Sequence, residues 1–203
     1  MHAGLADARA AGSERVVNET LWYVSRATGT LSIVLMTVVM ILGLVLSGAR
    51  QRAGERTTVI QGVHRSLALG MLTFLVLHIA TAVAETYVHI DLISAFVPFT
   101  SPYRRFLVGL GTLSVDVLAA VMATSLLRHR ISQRVWRVVH RSTFAMWPLT
   151  LWHGIAMGTS NEPLLRGVTI ACAVAGGIVV IWRIAGSHHD SARRREVLRQ
   201  EWT

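Results

Sequence analysis

Val63-His64-Arg65-Ser66 recurs further along the chain as Val139-His140-Arg141-Ser142. Each copy opens a long apolar run. Each run holds one more histidine, His78 in Leu77-His78-Ile79-Ala80 and His153 in Trp152-His153-Gly154-Ile155. An ionisable ring inside hydrocarbon is costly, so histidines in such runs are functional candidates by default. Four of them in two matching pairs govern the reading of everything around them.

The surroundings are membrane-like. Of 203 residues, 52% are hydrophobic and only 15% charged, and the mean hydropathy is +0.48. Five stretches, 21–46, 64–84, 106–127, 136–157 and 164–182, are apolar over roughly the 20 residues needed to cross a hydrocarbon core of about 30 Å. Backbone polar groups in lipid must be satisfied within the segment, which makes these spans helices. The expected fold is an all-α integral membrane bundle of about five transmembrane helices. A polar N-terminal tail (1–20) precedes the membrane domain (21–183), and a basic tail (184–203) follows it. No compact apolar stretch with a cleavage site marks the start as a signal peptide.

The net charge of +9 would indicate nucleic acid if the basic residues formed one soluble face. They sit instead at the ends of the apolar runs, where the positive-inside rule accounts for them. All 20 basic residues are arginine, and fourteen fall on one side of a five-span topology. These are Arg50, Arg52, Arg56, Arg65, Arg128, Arg130, Arg134, Arg137, Arg141, Arg183, Arg193, Arg194, Arg195 and Arg199. The rule therefore predicts an N-terminus outside and a C-terminus inside. The single cysteine, Cys172, excludes an intrachain disulfide, a CxxC redox motif and a thiolate-held iron–sulfur cluster.

Spans two and four then run in the same direction. His64 and His78 are separated by a rise of about 21 Å and lie about 40° short of four full turns, so they share a helix face. His140 and His153 are separated by about 20 Å, but an ideal helix leaves them about 140° short of four turns. Pro148 lies between them and removes a backbone hydrogen bond, which predicts a change of winding that re-aims His153. His64 is then level with His140 near the inner surface, and His78 with His153 near the outer one. Two imidazoles facing each other suit an octahedral iron held in a planar macrocycle, and bundle interiors are where facing helices grip such cofactors. Two haems about 20 Å apart would nearly span the membrane. Zinc or copper fits less well, because each level offers two histidines and no clear cysteine or carboxylate. His2, His89, His129, His188 and His189 fall in loops or tails and read as surface residues.

Haem propionates call for cations near the interfaces. Arg65 and Arg141, each following an inner histidine, are candidates for the inner haem. Arg26 lies several residues into the first span and must snorkel or meet an anion; the outer haem's propionates are its expected partner. The outer loop at 91–106, rich in aromatics and proline, is a candidate cap over the outer site. Asp116 is an acid well inside span three, and Gly154 with Gly158 form a GxxxG that reads as close helix packing.

With both histidine spacings, Trp22-Tyr23-Val24-Ser25-Arg26-Ala27-Thr28-Gly29 at the first span and the loop VPFTSPYRR at 97–105, the chain resembles the ferric reductase-like transmembrane domain. That domain is shared by NADPH oxidases, ferric reductases and the haem subunit of bacterial methionine sulfoxide reductase. The resemblance covers about residues 20–184. It implies two b-type haems, the inner on His64 and His140 and the outer on His78 and His153, passing electrons outward one at a time, with Arg26 near the outer haem. This chain is expected to lack the first of the six spans of many eukaryotic members. It is also expected to carry no flavin or NADPH site, so its donor would be a separate flavoprotein or membrane quinol and its acceptor extracytoplasmic. The resemblance places it in a bacterial plasma membrane. One alternative is a quinol-oxidising haem subunit of a dedicated periplasmic reductase, as in methionine sulfoxide repair. An alternative of another class is a haem-free scaffold or transporter that keeps the histidines as polar glue.

Overall fold

The computed structural model describes residues 2–49, 55–88, 90–158 and 162–200, with side chains over 11–47, 55–88, 90–158 and 162–185. The readings placed on His2, His89, His188, His189, Arg50, Arg52 and the arginines of the C-terminal tail lie outside the described side chains. Six α-helices follow in order: α1 His2–Ala49, α2 Glu55–Ala84, α3 Arg105–Leu126, α4 Gln133–Arg141, α5 Thr143–Met157 and α6 Pro163–Gln200. A short 3-10 turn, Leu92–Ala95, interrupts the loop between α2 and α3. There is no strand among the described residues. Four helical segments are long and apolar enough to cross a membrane: Ala11–Ser47, Glu55–Ala84, Arg105–Leu126 and Pro163–Ala185. This is a multi-pass membrane protein.

The expected fourth span, 136–157, is two helices rather than one. The α4 helix is amphipathic, and α5, at 15 residues, rises only about 22 Å. The interruption falls at Ser142, not at Pro148. There the Ser142 amide is shared between the Val138 and Val139 carbonyls at 3.2 and 3.1 Å. The Ser142 hydroxyl donates to the Val139 carbonyl at 2.6 Å and the Thr143 hydroxyl to the His140 carbonyl at 2.7 Å. Hydroxyls that bond back onto helix carbonyls compete with the ladder and bend it. Pro148, inside α5, adds to this by leaving the Phe144 carbonyl without its usual donor. The winding change therefore sits between His140 and His153, as the spacing requires, but two hydroxyls next to His140 initiate it.

The packing hierarchy positions the site. Helix α1 is the axis and packs on α2, α5 and α6, while α3 packs on α4 and α5. Among the described residues, the backbone of helix α2 comes close to α1 and to the 3-10 turn but not to α3, α4, α5 or α6, which it meets through side chains such as Met71. A slot therefore separates α2 from the α4–α5 tract. The core fills its middle: Ile33, Met36 and Met40 from α1, Met71 from α2, Leu118 from α3, and Met146, Trp147 and Leu151 from α5 are all buried. Met71 lies midway between the two histidines of α2, and Met146 midway between His140 and His153. Unbranched methionine fills irregular space between elements that do not interlock.

Trp147 fixes the α1–α5–α6 contact. Its indole N–H donates to Thr37 Oγ1 at 3.1 Å, and its ring covers Gly176 so closely that any Cβ there would overlap it. Replacing Gly176 with leucine is expected to destabilise the bundle by about 1–3 kcal/mol, the usual cost of overpacking. Thermal unfolding in detergent measures it; at Gly177, which meets nothing within 4 Å, the same replacement should have little effect.

Candidate functional site

The four intramembrane histidines face each other in pairs across the slot. His64 and His140 have ring centroids 6.5 Å apart with planes inclined at 54°. His78 and His153 are also 6.5 Å apart, inclined at 79°. The α4–α5 tract thus runs beside α2 at both levels, and the broken helix takes the place of the straight fourth span.

Three of the four rings are held by one repeated device. His78 Nδ1 donates to the Ser25 carbonyl at 2.8 Å, His64 Nδ1 to the Val39 carbonyl at 3.1 Å, and His153 Nδ1 to the Leu107 carbonyl at 2.7 Å. A carbonyl only accepts, so Nδ1 carries the proton in each case and Nε2 keeps its lone pair. Each accepting carbonyl lies four residues before a glycine: Gly29, Gly43 and Gly111. In a helix, residue i+4 sits over the carbonyl of residue i, so a missing side chain there bares that carbonyl to a ring from the neighbouring helix. The fit is close. A Cβ on Gly29 would lie 2.8 Å from His78 Nδ1, and one on Gly111 would lie 2.8 Å from His153 Cε1. At Gly43 the nearest ring atom, His64 Cε1, is 3.6 Å away, an ordinary contact. The spacing of Gly29 and Gly43 along α1 equals that of His64 and His78 along α2. That equality is the sequence signal for the notches, and the histidine pattern alone does not reveal it.

His140 departs from the pattern. Its Nδ1 is buried without a partner among the described residues. Instead its ring stacks on Trp136 at 4.9 Å and 17°.

The outer pair opens on a cavity of about 230 Å³ lined by Ser25, Arg26, Gly29, Met36, Met71, Glu85, Ser94, Tyr103, Met146 and Glu162 among others. The loop at 91–106 forms part of its wall through Ser94, Ala95 and Tyr103. The loop is pinned by the Thr112 hydroxyl, which donates to the Ser94 carbonyl at 2.6 Å. Phe99, at a φ of 64°, turns its ring onto Gly109, where no Cβ would fit.

Arg26 Nη1 donates to the Met157 carbonyl at 3.2 Å and Arg104 Nη1 to the Ala156 carbonyl at 2.9 Å. Both cations thus serve the C-terminal carbonyls of α5, which a positive charge favours. Arg26 also lies over the Trp22 ring at 4.3 Å, and its Nε is buried with no partner. Glu85, which the sequence reading did not single out, is 7% exposed, and its Oε1 is buried and unpartnered. Arg65 and Arg141 are exposed beside the inner pair, with no ion pair among the described residues. Asp116 is half-buried in α3. Gly154 of the GxxxG packs under Ile33 of α1, and Gly158 ends α5.

The donor set can be tested against candidate metals. No third His, Cys, Asp or Glu joins either pair among the described residues, so these side chains do not assemble a closed four-ligand site of the zinc type. An iron carried in a planar macrocycle needs only two trans ligands. With metal–imidazole bonds of about 2 Å, such ligands put their ring centroids about 6 Å apart, close to the separation at both levels. Carbonyl-anchored Nδ1–H groups are also the usual way a metal-binding histidine is oriented. The residues fit haem, which His64 and His140 would hold at one level and His78 and His153 at the other.

Two expectations follow. Alanine at Gly29 or Gly111 must push a histidine ring out of its notch and should cost about 1–3 kcal/mol, whereas alanine at Gly43 should be neutral or stabilising; chemical unfolding of the three variants compares them. Burial holds the Glu85 carboxyl above its ordinary value, with Arg26 partly opposing that shift. The folded state then keeps a proton that the unfolded state releases, so this group's contribution falls as pH rises from the normal carboxylate range to the raised one. Glu85→Gln should remove that part of the decline in a series of unfolding curves across pH.

A family model described as the ferric reductase like transmembrane component matches residues 28–151. No curated protein and no solved structure matches the chain. The family match spans more than half of the chain and takes in His64, His78, His140 and all three glycine notches, ending just before His153. The chain belongs to the family of ferric reductase-like transmembrane components.

Proposed function

We propose that the chain is a di-haem electron-transfer subunit that carries electrons across a bacterial plasma membrane, with its N-terminus outside and its C-terminus in the cytoplasm. The observation that carries this reading is the pair of facing imidazole couples, each 6.5 Å between ring centroids, across the slot between α2 and the α4–α5 tract. Membership of the family supports a membrane electron-transfer role.

A haem b at each level would supply one-electron iron chemistry. The protein's part is to hold, orient and insulate. His64, His78 and His153 present Nε2 because Ser25, Val39 and Leu107 fix the opposite nitrogen. Met36, Met71 and Met146 fill the middle of the bundle with buried apolar atoms and keep water from the interval between the levels. Arg26, with an unsatisfied Nε at the outer cavity, offers a charge-assisted donor to a propionate there. Arg65 and Arg141 offer cations at the inner level. A separate flavoprotein or membrane quinol is the donor on this reading, and an extracytoplasmic species is the acceptor.

The test is the dithionite-reduced minus oxidised spectrum of the detergent-purified protein, with its haem-to-protein ratio. Two b-type haems per chain are expected. Alanine at His78 or His153 should remove one, and alanine at His64 or His140 the other. A colourless protein after expression with ample haem would contradict the reading and leave the scaffold in its place.

A further inference from the structure

The inner level is built asymmetrically. Three histidines present Nδ1–H to a bared carbonyl, but His140 has no glycine notch, and its Nδ1 is buried without an acceptor. Trp136, one turn earlier on α4, stacks on the ring at 4.9 Å and 17°. Arg128, in the turn after α3, places its guanidinium 4.8 Å from the Trp136 ring centroid. A column therefore runs from exposed Arg128 through half-buried Trp136 to His140. The indole N–H of Trp136 is likewise buried and has no partner among the described residues, so stacking rather than a described hydrogen bond links the rings of this column.

Both differences act on the ligand in the same direction. A hydrogen bond from Nδ1–H to a carbonyl makes the imidazole a stronger donor at Nε2, which favours the oxidised metal; His140 lacks that contribution. A guanidinium on the indole adds positive charge to the same stack through cation–π attraction. Positive charge near a redox centre favours the added electron, although exposure of Arg128 lets solvent screen part of it.

We propose that Trp136 and Arg128 are positioning residues for His140, holding its ring by stacking in place of a hydrogen bond and raising the reduction potential of the inner haem selectively. This rests on the di-haem reading above. Its consequence is local: the inner level keeps an electron more readily than its own histidine pair would without the column.

The test is redox potentiometry of the purified protein, with the inner haem assigned in a His78→Ala background that retains it alone. Arg128→Gln should lower the inner reduction equilibrium constant several-fold, up to about tenfold, which is about 59 mV for one electron. Arg128→Lys should keep most of the wild-type value, and the outer haem should not move in either. Trp136→Phe should preserve the inner potential, while Trp136→Leu should lower it or release the inner haem. An unchanged inner potential in Arg128→Gln with both haems bound would overturn the proposal. So would equal shifts at both haems. Absence of haem from the wild-type protein would instead overturn the di-haem reading, and this proposal with it.

Discussion

The hydrogen bond from an imidazole Nδ1–H to a helix carbonyl laid bare by glycine is the interaction on which the site depends. Burying a polar ring in hydrocarbon is costly unless it finds a partner, and in a helical bundle nearly every backbone carbonyl is already engaged. A small residue one turn on lets a bulky ring from a neighbouring helix reach the second lone pair of such a carbonyl. Gly29, Gly43 and Gly111 provide that opening beneath His78, His64 and His153. The same bond fixes the tautomer, so the other nitrogen of each ring keeps a free lone pair. Orientation of the ligand and satisfaction of the buried donor are one arrangement.

That arrangement explains the shape of the bundle. Helix α2 is tied along its length to α1 at both histidine levels, and it reaches the core shared with α3 and α5 through the Met71 side chain rather than by close backbone approach. The α4–α5 tract is held on the far side by α3 and by the Trp147–Thr37 contact with α1. The slot between them is bridged by methionines in its middle and lined by imidazoles towards each end. The outer end is walled by the loop at 91–106 and carries Arg26 and Glu85. At the inner end the short helix α4 stacks Trp136 on His140.

Much of this was legible in the sequence. The two histidine spacings paired the residues by depth, and hydropathy placed the apolar helices. The rotational mismatch of His140 and His153 correctly required a change of winding. Its position was misread, because proline is the conspicuous helix breaker, whereas Ser142 and Thr143 act through hydroxyls whose preference for carbonyls appears only once the turn is formed. The glycine notches were hidden for a related reason: a glycine in an apolar span looks like loose packing until the antiparallel partner shows what lies against it. Glu85 sits just past a helix end, where a carboxylate is unremarkable, and its burial at the outer cavity is set by tertiary packing. Arg26 was flagged for its depth, but its bond to the end of α5 is tertiary and has no local signature.

The central claim, that each level is a two-imidazole site, is most directly tested by low-temperature electron paramagnetic resonance of the oxidised protein. Two trans imidazoles enforce low-spin ferric iron, and ring planes crossed at 54° and 79° give strongly anisotropic low-spin signals. The account predicts two such signals per chain and no high-spin ferric haem. A dominant high-spin signal, or none from haem iron, would contradict it.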